Sequence, residues 1–236
     1  MFYRESGQFK ATYQADSQIF PIRQDRIAMV LLLSAALALG ILAQINVALI
    51  SPYFFSAILI PFLIFSLAAI GLNILTGYAG QISLGSAAFM AVGAFAAYNF
   101  MARVPGMPLL VAFILGGLCA ALVGIVFGLP SLRIRGFYLA AATLATQFFV
   151  VWCLTKVPYF TNGSSSGVIT AQAMSILGID FDTPAKKYLL TLGIVCFLAL
   201  AAKNMVRSNV GRSWMAVRDM DVAAEVIGFR PMRTKL

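Results

Sequence analysis

The sequence contains no histidine, and only 8 acidic residues and 3 cysteines in 236 positions. Without histidine, the commonest general base and the commonest metal ligand are both missing. Cys119, Cys153 and Cys196 each sit inside an apolar stretch with no paired spacing, so they read as packing residues rather than a disulfide or metal framework. No catalytic residue, metal site or cofactor is expected. Charge is scarce as well: charged residues make up 11% of the chain, where a soluble domain carries about a quarter. Two motifs are also absent. The sequence has no G-x-x-x-x-G-K-[ST] loop to cradle a nucleotide phosphate. The run Gly80-Gln-Ile-Ser83-Leu-Gly85 lacks the G-x-S-x-G spacing of a hydrolase elbow, and no histidine exists to activate Ser83. An intramembrane hydrolase is thereby disfavoured.

What the chain has in abundance is apolar surface. Hydrophobic residues make up 61% of it and the mean hydropathy is +0.91, so most of the chain is built for lipid. A helix needs about 20 mostly apolar residues to cross a hydrocarbon layer. Six segments approach this: Ile27 to Leu49, Phe54 to Thr76, Gln81 to Met101, Met107 to Leu129, Phe137 to Lys156, and a shorter one from Lys187 to Ala202. The expected fold is all-α, a polytopic transmembrane bundle of about six spanning helices. The third segment holds Ser83, Gly85, Ser86 and Gly93, which makes it a poor lipid-facing helix, expected to be buried or broken near Gly80 to Gly85. The first 26 residues are polar and the first apolar run exceeds 20 residues, too long for a cleaved signal, so it is expected to stay in the protein.

The net charge of +9 comes from basic residues lying between apolar segments, which fits membrane topology rather than nucleic-acid binding. With the N-terminus in the cytoplasm, 13 Lys and Arg fall on that side and 4 on the other: Arg103, Lys156, Lys186 and Lys187. That bias predicts both ends of the chain on the cytoplasmic side of the membrane. The expected organisation is a cytoplasmic tail over residues 1–26, a membrane domain over 27–202 and a cytoplasmic segment over 203–236. The segment Val157 to Lys186 is expected outside, as a loop with a turn-forming run at Thr161 to Gly167.

The most distinctive stretch runs from Gly71 to Met90. Its Asn73, Thr76, Gly77, Gln81 and Ser83 stand where lipid favours Leu or Val, and Gln147 is the most polar residue deep in the fifth segment. Polar groups in hydrocarbon need partners or a wet path. These six residues are the candidates for a substrate path, with interhelical hydrogen bonding as the competing reading. In the fourth segment Gly116, Ala120, Gly124 and Gly128 recur every four residues, a ridge suited to close helix contact.

Three blocks carry a resemblance: Asn73 to Met90, then Leu132-Arg-Ile-Arg-Gly-Phe-Tyr-Leu-Ala, then the run from Gly211-Arg-Ser-Trp to Gly228. In this order they resemble the LivM-type permeases of branched-chain amino acid ABC transporters. If Arg212 to Ile227 is one helix, Val217, Met220, Ala223, Ala224 and Ile227 share a stripe, and Gly228 suits its stop. The resemblance implies that this region docks on an ATPase subunit, with Gly211, Arg218, Asp219, Ala223, Ala224, Glu225 and Gly228 as the ATPase-coupling positions. The resembled permeases continue with further spanning helices, whereas this sequence ends at Leu236, so a truncated or split permease is expected.

The resemblance implies a noncatalytic permease subunit of an ABC importer for branched-chain or similar apolar amino acids, or for urea or short amides. Its partners are then a second homologous permease, two ATP-binding cassette subunits, a periplasmic substrate-binding protein and membrane lipid. The rival is an ion-coupled secondary transporter of a small polar solute. That mechanism usually places an ionisable group at mid-membrane, and none lies near the centre of a segment.

Overall fold

The structure, a computed structural model, describes Thr12 and residues 23–45, 51–131, 137–164, 167–169, 175–176, 179–229 and 234. Most of the N-terminal tail and the Leu132 to Gly136 part of the second resembling block lie outside the described residues. The elements in chain order are helices α1 (Arg23–Ile45), α2 (Phe54–Tyr78), α3 (Ser86–Arg103), α4 (Leu109–Ser131) and α5 (Phe137–Lys156), then strands β1 (Ser175–Ile176) and β2 (Ile179–Asp180), then helices α6 (Pro184–Arg207), α7 (Asn209–Asp219) and α8 (Asp221–Val226). The two-residue strands pair antiparallel in the segment expected to be loop. The remaining regular secondary structure among the described residues is helical.

Among the described residues, five helices are long and apolar enough to cross a membrane: α1, α2, α4, α5 and α6. Their outer faces carry exposed Leu32, Phe62, Ile114, Phe148 and Phe197, an apolar coat that only lipid or a partner protein solvates well. The 18-residue α3 stands apart. It falls short in hydropathy and buries Ala88, Val92 and Ala97, which matches the expectation of an inner helix. The sixth span corrects its sequence-based bounds, since α6 has 24 residues rather than a short Lys187 to Ala202 core. Lysines near its ends suggested boundaries in sequence. Long Lys stems lie along apolar surface while the ammonium stays wet, so such residues belong to the helix. Pro184 at the first helical position starts it without losing a needed N–H.

The chain forms two compact units, Met1–Leu67 with Thr183–Asn209 and Ala68–Asp182 with Val210–Leu236. In the first, α1, the start of α2 and α6 pack around Ala43, Phe55, Ala185, Tyr188 and Leu192. The Phe55 and Tyr188 rings meet edge to face at 5.4 Å, and the Tyr188 hydroxyl donates to the Ala36 carbonyl at 3.3 Å.

In the second unit, α3, α4 and α5 surround Ala88, Val92, Val150 and Leu154. The small-residue ridge of α4 sets the approach. A Cβ on Gly116 would lie 2.7 Å from the Gly93 carbonyl oxygen, so only glycine lets these backbones meet. Ala120 also faces Gly93, and Gly124 faces Phe89. Gly128 has no neighbour within contact distance of a Cβ and borders a cavity instead.

Candidate functional site

Helix α2 ends in a π-helical turn, Ile74–Tyr78, and the chain then runs without helix to Ser86. The sequence explains the break. Gly77, Gly80 and Gly85 weaken helix propagation, and Gly80 adopts φ +67°, a left-handed conformation that glycine takes without strain. The N–H of Ala79 returns to the Ile74 carbonyl and that of Gln81 to the Leu75 carbonyl, each at 3.0 Å. Beyond this point the backbone depends on other partners. Leu84 N–H donates to the Thr143 hydroxyl of α5 at 3.0 Å, and Gly85 N–H donates to the Ser83 hydroxyl at 3.2 Å.

This irregular segment walls a cavity of about 350 Å³, here called the first cavity, together with residues of α4 and α5. Gln81, Ser83, Thr143 and Thr146 supply its polar lining. Leu75, Ile82, Phe89, Ile125, Phe127 and Leu139 supply most of the rest. The hydroxyls of Thr143 and Thr146 donate to the Ala140 and Ala142 carbonyls of their own helix, at 2.9 and 3.0 Å. A hydroxyl that donates in this way keeps acceptor capacity. The volume and the mainly apolar lining with a few polar groups are those of a small-molecule site.

The sequence-derived path residues separate into three kinds. Gln81 and Ser83 line the cavity, and Ser83 is buried. Gly77 stands just before the break, where its carbonyl accepts a hydrogen bond from Arg218 at 2.6 Å. Asn73 and Thr76 are exposed on α2, with the Thr76 hydroxyl bonded to the Leu72 carbonyl of its own helix at 2.8 Å. Gln147 is half-buried on α5 and is not among the residues lining this cavity.

The C-terminal region is two helices rather than one. α7 ends at Asp219, Met220 is extended at φ −157° and ψ 99°, and α8 begins at Asp221. The single stripe expected across Arg212 to Ile227 is therefore broken. Val217 and Ala224 are buried, whereas Met220, Ala223 and Ile227 are exposed. The physical reason is a restart. Met220 offers its carbonyl to Ala224 N–H at 3.0 Å, and acidic Asp221 stands in the first turn, where the helix dipole favours it. Among the positions expected to couple to an ATPase, Gly211 is buried, Arg218 and Asp219 form an ion pair at 2.7 Å, and Glu225 is exposed. Gly228 ends α8 at φ +100°. Its N–H bonds to the Glu225 carbonyl and that of Phe229 to the Ala224 carbonyl, the paired bonds of a Schellman stop.

A second cavity, of about 520 Å³, lies farther along α3, α4 and α5 and is lined mainly by aromatic and aliphatic side chains. Phe127 borders both cavities. Here Asn99 donates from Nδ2 to the Phe95 and Phe160 carbonyls at 2.8 and 2.9 Å, and its buried Oδ1 has no partner among the described residues. Arg103 donates to the Tyr159 carbonyl and stacks over the Tyr159 ring at 3.6 Å. Sequence reasoning passed over Asn99. Its signal was a lone amide in an apolar helix, of the same kind as Gln147.

Long apolar helices and an irregular cavity wall define a multi-pass α-helical membrane protein. The chain belongs to the family described as the branched-chain amino acid transport system / permease component, whose model matches residues 54–236. It is 27% identical to the high-affinity branched-chain amino acid transport system permease protein LivM of Escherichia coli (strain K12), over 74% of this chain and 46% of that protein. The LivM protein of Salmonella typhimurium (strain LT2) is 26% identical over the same shares. The chain thus spans about half the length of these relatives. No solved structure matches it.

Proposed function

We propose that the chain is the membrane-spanning permease subunit of an ABC importer for branched-chain or similar apolar amino acids, driven by ATP hydrolysis in separate subunits. The first cavity carries this reading. Irregular backbone at membrane depth is tolerated where it is buried in protein or lines a cavity, and interrupted helices mark solute sites in transporters. The lining pairs apolar side chains with a few hydroxyl and amide groups, which suits an amino acid with an apolar side chain better than urea or a short amide. The chain has no phosphate-binding loop of its own, and a conformational change needs a source of differential free energy, so ATPase partners supply it.

In this reading residues 203–236 are the coupling segment on the cytoplasmic side of a bacterial inner membrane. A second permease subunit, two ATP-binding cassette subunits and a periplasmic binding protein complete the machine. The test is uptake of labelled leucine by the assembled transporter in vesicles. Uptake is expected to require ATP and the ATPase subunits, and to persist when ionophores collapse ion gradients. Uptake that survives without the ATPases and stops with ionophores would instead establish the ion-coupled class.

A further inference from the structure

We infer that Arg218 is a positioning residue that ties α7 to the wall of the first cavity, so that motion of the C-terminal helices reaches Gln81–Gly85. The inference rests on the permease reading above and assigns Arg218 an inward task in place of a docking one.

Three contacts support it. The guanidinium donates from Nη1 to the Gly77 carbonyl at 2.6 Å, an oxygen at a helix end where intrahelical donors run out. Its Nε and Nη2 both bond Asp219 Oδ1, at 2.8 and 2.7 Å, which orients the planar fork. The aliphatic stem lies against Gly80, where a Cβ would come within 2.6 Å of Arg218 Cγ. One side chain thus grips both sides of the turn 77–80.

The irregular part of the wall, Gln81 to Gly85, begins at the next residue. Its far end is held by α5, through Leu84 N–H on the Thr143 hydroxyl at 3.0 Å. A Cβ on Gly85 would sit 3.1 Å from the Thr143 carbonyl oxygen, so this end is close-packed. Between Arg218 and Thr143 the backbone has no helical ladder to resist displacement. A contiguous linkage of this kind transmits motion only if both ends bias the same two arrangements, and that condition is testable.

The experiment uses the full transporter with its ATPase subunits, with the native cysteines replaced and Ser83→Cys placed on the cavity wall. The rate of maleimide labelling is compared between ADP and ATP-vanadate. In the parent, the two rates are expected to differ several-fold. With Arg218→Gln the ATPases still copurify and hydrolyse ATP, the rate difference disappears, and leucine uptake falls about tenfold, within the usual range of coupling between sites. Arg218→Lys, which keeps a donor for Gly77 but loses the fork on Asp219, restores part of the difference. Gly80→Ala pushes on the stem from the other side and is expected to uncouple as Arg218→Gln does, which covers a glutamine variant that fails to insert. Nucleotide-dependent labelling in Arg218→Gln equal to that of the parent would overturn the inference, as would a parent with no such dependence. Failure to recover any ATPase with the parent sinks the permease reading itself.

Discussion

Two arginines in the same compact unit each hold a backbone carbonyl distant in sequence, and they do so by different physics. Arg218 is steered by a carboxylate, Asp219, and bonds Gly77 beside an irregular wall. Arg103 is steered by an aromatic face, Tyr159, and bonds that residue's carbonyl beside a turn. The carboxylate-steered arginine abuts backbone outside the α-helical ladder, with Gly77 in a π-helical turn and Gly80 at φ +67°. The ring-steered arginine works with Asn99, whose amide also holds Phe160, so two side chains of α3 secure one turn. The first arrangement suits transmission of motion and the second suits rigidity. Each prediction below probes that division.

The largest effect is expected beyond the Arg218 end. Glu225 and Gly228 lie on α8 and its stop, both exposed and neither among the residues lining the first cavity. Replacing both is expected to abolish leucine uptake while leaving membrane insertion intact, as judged by uptake in vesicles alongside quantitative immunoblotting of the membrane fraction. Unchanged uptake would remove the coupling segment from the mechanism and leave Arg218 a local structural contact.

Next in size is the close approach of α3 and α4, on which both ends depend. Gly116→Val places a branched side chain where a single Cβ already lies 2.7 Å from the Gly93 carbonyl oxygen. Overpacking of this kind costs about 1–3 kcal/mol. The expected result is a clear drop in thermal stability in detergent. The same change at Gly117, which has open space around it, is expected to leave stability near that of the parent. Equal effects at the two positions would show that the helices do not meet along this ridge.

Asn99 sharpens the contrast at the Arg103 end. Asn99→Leu removes two donated bonds and leaves the Phe160 carbonyl to find another partner, at a cost of about 1–3 kcal/mol for a group left unsatisfied. The amide orientation follows from its neighbours, since two carbonyl acceptors require the NH2 side. Asn99→Asp, which sets a carboxylate against the same two carbonyls, is expected to be less stable than the leucine variant. Both losses should appear in thermal denaturation, with the nucleotide response of the Ser83→Cys label unchanged. A lost response would show that the turn end takes part in coupling as well.

How much of this was legible in the sequence depends on the range of the interaction. The apolar helices, the weak third span and the break between Tyr78 and Ser86 follow from local composition, because glycines and polar side chains act within a turn of where they stand. Gly228 as a helix stop is equally local. The extent of α6 was misread because lysine marks charge and not helix end. The restart at Met220 was invisible, since the apolar periodicity continues through it, and the extended Met220 backbone, at φ −157° and ψ 99°, is what reveals it. Arg218 and Gly77 stand 141 residues apart. Each looked functional alone, but their bond is tertiary and no pattern in one sequence announces it.

The smallest effect separates the two arginines directly. Arg103→Gln removes a cation stacked on Tyr159 at an exposed site, worth about 0.5–1 kcal/mol. Glutamine still reaches as a donor, and Asn99 still holds the adjacent Phe160. Thermal stability in detergent is therefore expected to fall slightly, with uptake close to that of the parent, since Arg103 contacts Tyr159 and does not line the first cavity. Arg218→Gln is expected to show the reverse pattern, with stability nearly unchanged because the ion pair is exposed and uptake strongly reduced. If the two variants lose stability and uptake in the same proportion, the arginines do the same kind of work, and neither is a transmission point.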